Sequence, residues 1–394
     1  MTQPIPMTWV DVDLAAIQQN VRQLRRLLRP TTQLMAIIKA NAYGHGLLHV
    51  AEALSGAFGR PRLADAFGVA MLTEGIALRN HGVTMPILIL GPIAPAEAPL
   101  VAQHSLTPTI YTRPVALALA RAAQRAREPV RVHVKVDTGM GRYGVWHADA
   151  QSFVQWVRRQ PGLLMEGLYT HLASAVQDRA ATAQQLARFQ QLIAALERAG
   201  CYVPLKHAAN SMGLLGYQES HWDMVRVGLA LYGLCPKSGW RPPVPLTPAL
   251  RWQARVGFVK TVTAGRTISY GGTYRVSRRT QVATIPVGYA LGYPLRGSNR
   301  AAVLAHGRRA PVVGRVTMDH LMIECGSRTP VRAGDPVTLL GGDGRLRIRA
   351  EELARWAGTI AYDVLCGINP AVPRCYLPTP AGSSVKTQAS QISR

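Results

Sequence analysis

The 394-residue chain is short of negative charge: 21 Asp and Glu stand against 45 Lys and Arg, a formal net charge of +24. So few carboxylates leave little from which to build a hard-cation site, and neither an HExxH nor a CxxC pair occurs, so no metal centre is expected. Cysteine is scarce as well. Cys201, Cys235, Cys325, Cys366 and Cys375 are scattered and odd in number, which fits reduced thiols in a cytoplasm rather than a disulfide framework. Apolar runs are short, so no membrane span is expected. The start, MTQPIPMTWVDVDL, has no basic stretch leading into an apolar one, so no signal peptide is expected either. No GxGxxG follows a strand, and no internal repeat is visible.

The basic excess is uneven. Residues 1–240 carry 23 Lys and Arg against 14 Asp and Glu, and residues 241–394 carry 22 against 7. Such a surface attracts polyanions in principle. The charges are dispersed, with only short clusters such as RVSRR and GRLRIR, so a solvated surface is expected and no nucleic-acid partner.

What is present is a rhythm of short apolar runs and helical patterns. Residues 13–29 place Leu14, Ile17, Val21, Leu24 and Leu28 on one helical face, and Pro30 stops the helix. Strands are expected at 34–38, 66–71, 86–90, 106–110, 130–136, 164–170, 205–209 and 224–229, with helices between most of them. Continuous Val/Ile/Leu-rich strands separated by helices imply a parallel sheet buried on both faces. Eight such units imply a TIM-type (β/α)8 barrel, assigned to residues 11–240. After the Pro-rich GWRPPVPLTPAL, β-branched runs at 251–263, 280–286, 301–304, 311–316, 320–324 and 336–340 imply a mainly β domain over residues 241–380. Residues 1–10 are candidates to join that domain. Residues 381–394 lack apolar periodicity and read as a disordered tail.

In a TIM-type barrel, chemistry gathers at the carboxyl ends of the strands. There the sequence offers Lys39, Tyr43 and His45 after the first strand, and Lys135, Asp137 and Arg142 around the fifth. His171 follows the sixth, Asn210 and Ser211 the seventh, and Arg226 and Gly228 lie on the eighth. An amine set among apolar walls and other cations loses its proton readily, which suits a Schiff-base former. Main-chain amides at NSMG and VGLA, with the Ser211 hydroxyl and Tyr43, suit a phosphate without a Walker motif. The set points to pyridoxal 5'-phosphate held by Lys39.

At this point AIIKANAYGHG resembles the cofactor-lysine motif of the bacterial alanine racemases, pyridoxal phosphate enzymes of fold type III. The resemblance continues through VKVDTGMGRYG, EGLYTHLASA, HAANSMGLL, RVGLALYG, TISYGGTY, IPVGYALGYP, VGRVTMD and AYDVLCGINPAVPR. It implies interconversion of L- and D-alanine by two bases, Lys39 and Tyr270, supplying D-alanine for peptidoglycan. It implies a homodimer in which Tyr270 and Met318 reach the site of the partner subunit. Arg142 and Met318 would then bind the substrate carboxylate, and His171 would bridge Tyr270 and Arg226. Arg226 would face the pyridine nitrogen. Tyr43, Ser211, Gly228, Leu229 and Tyr362 would hold the phosphate. Lys135 matches a position that is carbamylated in some members. The chain departs from the usual pattern at Val176 and Leu291, where aspartate is common, and at His320, where glutamine is. The lost acids leave a serine or broad-specificity racemase as the alternative reading.

Overall fold

The computed structural model describes residues 5–57, 62–237, 239–326 and 331–377. The tail expected at 381–394 lies outside the described residues. The chain divides into two compact units. Among the described residues, one comprises those of Ile17–Ala42 and Leu47–Thr247; the other takes in those up to Ala16, Tyr43–Gly46 and those from Pro248 on.

The first unit is the (β/α)8 barrel. Its strands are Gln33–Ile37, Ala66–Val69, Ile87–Ile89, Thr107–Ile110, Val130–Asp137, Leu163–Tyr169, Leu205–His207 and Met224–Val227. Each pairs in parallel with the next through the seventh, and the eighth pairs in parallel with the first. Two main-chain bonds draw the seventh and eighth strands together: Asp223 N–H to Lys206 O at 3.0 Å and Arg226 N–H to Ala209 O at 2.9 Å. The fifth strand shows why these segments are strands. Its VRVHVKVD run is β-branched and buried on both faces except at Arg131, as a barrel stave between helices and a packed interior must be. The helices read as expected from their apolar stripes. Arg179–Arg198 buries Leu186, Phe189, Leu192 and Leu196, and Asp178 caps it by accepting the Ala181 N–H at 2.9 Å.

The second unit is mainly β. One sheet runs in the order Arg308–Pro311, Ala302–Ala305, Pro336–Asp343, Leu250–Arg255, Thr8–Val12 and Arg374–Tyr376, with Leu346–Ile348 branching from Pro336–Asp343. A second joins Phe258–Val262, Thr280–Ile285 and Leu321–Glu324, and Thr267–Ile268 forms a hairpin with Tyr274–Arg275. Fully buried Trp252 anchors the first sheet, its indole N–H donating to Thr8 Oγ1 at 2.9 Å.

Two expectations for this unit change. The run 251–263 is two strands in different sheets, broken at Val256 and Gly257. The run 311–316 is not a strand beyond Pro311. There the N–H groups of Gly314 and Val316 are taken by Asn299 Oδ1 at 2.6 Å and Ser298 Oγ at 2.9 Å instead of a ladder. Gly314 sits at φ 76°, and a Cβ on it would lie 2.7 Å from the carbonyl oxygen of Ile268. Val312, Val313 and Val316 are buried, but pairing stops at a single bridge between Val312 and Ile323.

Candidate active site

At the carboxyl end of the first barrel strand the chain leaves Ile38 and turns the wrong way. Ala40, Asn41, Ala42 and Tyr43 all have φ of 53°, four consecutive non-glycine residues in the left-handed region. Such a turn costs about 1–2 kcal/mol per residue, and it persists only where its surroundings hold it. Three holds are visible. Ala40 N–H donates to Glu74 Oε1 at 2.6 Å, Ala42 N–H donates to Ile38 O at 2.8 Å, and Asn41 Oδ1 accepts the Leu47 N–H at 2.8 Å. The turn therefore presents Lys39 at a fixed backbone. In the sequence AIIKANAYGHG this handedness has no signal beyond the tolerance of asparagine for left-handed backbone.

The fifth strand ends in Lys135 and Asp137, both buried. Asp137 folds the following loop back on itself: Oδ1 accepts the N–H groups of Gly139 and Met140, each at 2.8 Å, and Oδ2 that of Arg142 at 3.2 Å. Burial by itself raises its pKa, but these backbone donors outweigh it and keep it a carboxylate below the usual range. Burial, then the charges of Arg142 and Arg226, push the Lys135 amine down to about 8, and Lys39 adds to that repulsion. The same cations act on His171. Burial first, then Arg226, Lys135, Arg142 and Lys39, hold its imidazole well below the usual histidine range. Lys39, Lys135, Arg142, His171 and Arg226 thus form one electrostatic cluster, as the strand ends suggested.

Arg226 is 3% exposed and densely bonded. Its Nη2 donates to the carbonyls of Thr170 at 2.7 Å and Ala208 at 3.0 Å, and to His171 Nδ1 at 3.3 Å. Nη1 donates to His207 Nδ1 at 2.9 Å. A guanidinium only donates, so Nδ1 of neutral His171 accepts and its proton lies on Nε2. Tyr169 stacks on His207, stands 5.0 Å from the Arg226 guanidinium and bonds Thr109 Oγ1 at 2.9 Å. It lies inside the EGLYTHLASA stretch yet gave no signal of its own, because an apolar strand with a tyrosine reads as core.

Ser211 opens a short helix capped by Asn210, which accepts the Gly213 N–H at 2.9 Å. Its Oγ accepts two main-chain N–H groups, from Gly228 at 3.0 Å and Ala230 at 3.2 Å, with Leu229 between them. Both acceptor sites of that oxygen are used, so its own proton is left to donate. A buried hydroxyl with a proton to donate is a fit for a phosphate oxygen. Among the described residues no group of His, Cys, Asp and Glu could hold a metal ion, and no helix is long and apolar enough to cross a membrane.

The other unit carries the remaining sequence-predicted residues. Tyr43 packs its ring 5.9 Å from that of Tyr362, and burial raises its hydroxyl pKa well above the usual range. Tyr270 stands at the tip of the Thr267–Ile268/Tyr274–Arg275 hairpin, 71% exposed, and Met318 is 56% exposed. Ser269 before it sits at φ 63° and is pinned by its hydroxyl to Arg315 O at 2.6 Å. Tyr274 behind it donates to Glu324.

A parallel barrel with a cationic cluster at its strand ends, followed in the chain by a mainly β unit, has the make-up of a barrel enzyme. The comparisons make the assignment specific. Residues 12–236 match the alanine racemase N-terminal domain and residues 249–376 the alanine racemase C-terminal domain. The alanine racemase of Symbiobacterium thermophilum is 47% identical over 370 residues, covering 94% of this chain and 97% of that one. That of Halothermothrix orenii is 41% identical, covering 94% and 96%. Among solved structures, the alanine racemase of Clostridium difficile superposes with a TM-score of 0.88 at 32% identity, covering 95% and 96% of the two chains. The chain belongs to the alanine racemase family of isomerases.

Proposed function

We propose that the protein interconverts L- and D-alanine with pyridoxal 5'-phosphate, through two bases on opposite faces of the substrate, and so supplies D-alanine for peptidoglycan. The observation that carries this reading is the cluster of Lys39, Lys135, Arg142, His171 and Arg226 with Asp137 at the barrel's carboxyl end. Lys39 would hold the cofactor through its amine. Ser211, Gly228 and Leu229, with Tyr43 and Tyr362, would hold the phosphate, and Arg226 would face the pyridine nitrogen. Bound there, the cofactor acts as an electron sink that acidifies the Cα–H of an attached amino acid.

Each residue then has a task set by its chemistry. The Lys39 amine, released once the amine of the substrate takes its place, would take or return the proton on one face of Cα. The Tyr270 hydroxyl, from a second copy of the chain, takes or returns it on the other, so one proton leaves and one arrives in each turnover. The exposure of Tyr270 and Met318 on their own unit supports this division between subunits. The Nε2–H of neutral His171 would donate to the Tyr270 oxygen and favour its anion. Arg226, its pKa lowered to about 10 by burial, is still a cation at neutral pH and withholds a proton from the ring nitrogen. Arg142 pairs with the substrate carboxylate, and the Met318 main chain joins it. Lys135, deprotonated near pH 8, is open to carbamylation by CO2, which would set an anion beside Arg142.

The test is the visible absorbance of the purified protein, followed by a D-alanine assay with L-alanine supplied. Lys39→Ala should lose both signals. Mixing inactive Lys39→Ala and Tyr270→Phe subunits should restore activity. A persistent cofactor band in Lys39→Ala overturns the role of that lysine, and mixtures that stay dead overturn the shared site.

A further inference from the structure

We propose that Glu166, at the far end of the barrel from Lys39, is a positioning residue for Arg226, acting through two buried histidines whose tautomers it holds from the carboxylate end. The functional consequence rests on the role of Arg226 proposed above; the tautomers do not.

The argument follows the hydrogen bonds one atom at a time. Arg226 Nη1 lies 2.9 Å from His207 Nδ1. A guanidinium has no acceptor, so His207 Nδ1 accepts, and the ring proton must sit on Nε2. His207 Nε2 lies 2.9 Å from His133 Nδ1. His207 therefore donates, His133 Nδ1 accepts, and the His133 proton must also sit on Nε2. That nitrogen lies 3.4 Å from Glu166 Oε2, an acceptor. The other Glu166 oxygen, Oε1, accepts from Arg131 Nη1 at 3.1 Å. Every link has one permitted direction, from cation to carboxylate. Protonating either histidine would set two donors against each other.

The chain is sealed along its length. His207 is fully buried and His133 is 2% exposed. Tyr169 stacks flat on His207, at 4.7 Å between ring centroids, and His133 meets His207 edge-on at 5.0 Å. Burial first, then the charge of Arg226, keep His207 neutral, as the chain requires. Donation from His133 is the largest influence lowering the Glu166 pKa. At its end Glu166 borders a cavity of about 230 Å³. Gln33, Leu205 and Met224, the first residues of three barrel strands, also line that cavity, which places it at the amino end of the barrel. Residues at that end of such a barrel ordinarily serve stability.

Without an acceptor at Glu166 the buried His133 Nε2–H is left unsatisfied, and only the Arg226 donor at the other end still favours these tautomers. Moving both ring protons to Nδ1 relieves the first at the expense of the second. Arg226 Nη1 then loses its partner at His207. The guanidinium keeps only the bonds made by Nη2, to Thr170 O, Ala208 O and His171 Nδ1. One fork of a charged, planar group is released beside the reacting atoms, where small displacements matter.

The experiment is nitrogen NMR of the imidazole rings and of the Arg226 side chain, on the whole protein with and without pyridoxal phosphate. In the unaltered protein both histidines should be neutral with the proton on Nε2, and the Arg226 Nη1 protons should exchange slowly. Glu166→Gln keeps an acceptor oxygen and should preserve both signatures. Glu166→Leu should mix the tautomers of His133 and His207, speed Arg226 Nη1 exchange by about tenfold or more, and lower kcat by about 3- to 30-fold. The glutamine variant should stay within about threefold of the original kcat. A proton on Nδ1 of either histidine in the unaltered protein overturns the proposal, and that holds even if Glu166→Leu does not fold. A leucine variant with unchanged tautomers and Arg226 exchange overturns it too. Absence of racemisation in the unaltered protein would sink the proposed function while leaving the tautomers to be judged on their own.

Discussion

Glu74 holds Ala40: its Oε1 accepts the Ala40 N–H at 2.6 Å, while Oε2 accepts the N–H groups of Ala70 at 2.8 Å and Met71 at 3.1 Å. One buried carboxylate thereby ties the residue after Lys39 to the end of the neighbouring strand. The left-handed turn is intrinsically unfavourable, and this tie is one of the three that keep the lysine backbone in place.

Removing that tie should be costly. In Glu74→Ala three main-chain donors lose their acceptor, and each buried donor left unsatisfied costs about 1–3 kcal/mol. Some will find water, so a loss of about 2–4 kcal/mol is expected from urea unfolding. The same variant should bind pyridoxal phosphate more weakly in an absorbance titration. If the titration is unchanged, the clamp has no bearing on Lys39.

Tyr270 should separate function from stability in the opposite way. Its side chain is 71% exposed, so Tyr270→Phe should move the unfolding free energy by less than about 0.5 kcal/mol. Losing a general base should slow racemisation by about 100-fold or more. The cofactor should stay bound. A Tyr270→Phe enzyme with near-normal kcat would remove tyrosine from the second face.

Lys135 gives a pH signature. The unfolded chain keeps this proton up to its ordinary value of 10.5, whereas the fold releases it near 8. Between these values the unfolded state binds more protons, so stability rises with pH. The slope from this group is at most about 1.4 kcal/mol per pH unit, and below pH 8 the full penalty for the buried charge is present. Lys135→Met, of similar size and uncharged, should therefore be more stable than the parent at pH 7 and should lose the rise between pH 8 and 10. Parallel urea curves for the two proteins across that range would contradict the shift. Carbamylation in CO2-rich buffer should raise the parent alone.

The sequence made some residues of this site plain and hid others for physical reasons. Lys39 stood out because four apolar residues run straight into an amine, and Arg226 because valines flank it on a buried strand. The eight strands were legible because continuous β-branched runs have few other uses. Glu74, Tyr169, His133 and His207 were not legible as parts of the site. Periodicity tells that His133 lies on a buried strand but not which atom meets its ring nitrogens. That depends on the fifth, sixth, seventh and eighth strands closing around one another, with partners 33 to 74 positions apart. The left-handed turn was hidden for a different reason, since alanine twice over is a helix-forming signal for the ordinary hand.

That turn offers a last test in which sign matters more than size. Glycine normally weakens a folded segment by about 0.5–1 kcal/mol, because it adds freedom to the unfolded chain. Ala40 sits at φ 53°, ψ 53°, where an alanine Cβ carries a steric cost of about 1–2 kcal/mol that glycine escapes. The steric gain exceeds the entropic loss, so Ala40→Gly should raise the unfolding free energy by about 0.5–1 kcal/mol. Ala122→Gly, inside the Arg113–Ala126 helix, should lower it by about 1 kcal/mol and serves as the control. Chemical denaturation of both variants checks the pair. Two losses of equal size would mean that Ala40 does not hold the left-handed conformation in solution. A gain in stability accompanied by a fall in racemase activity would mean that the strain at this turn is kept for the sake of where it holds Lys39.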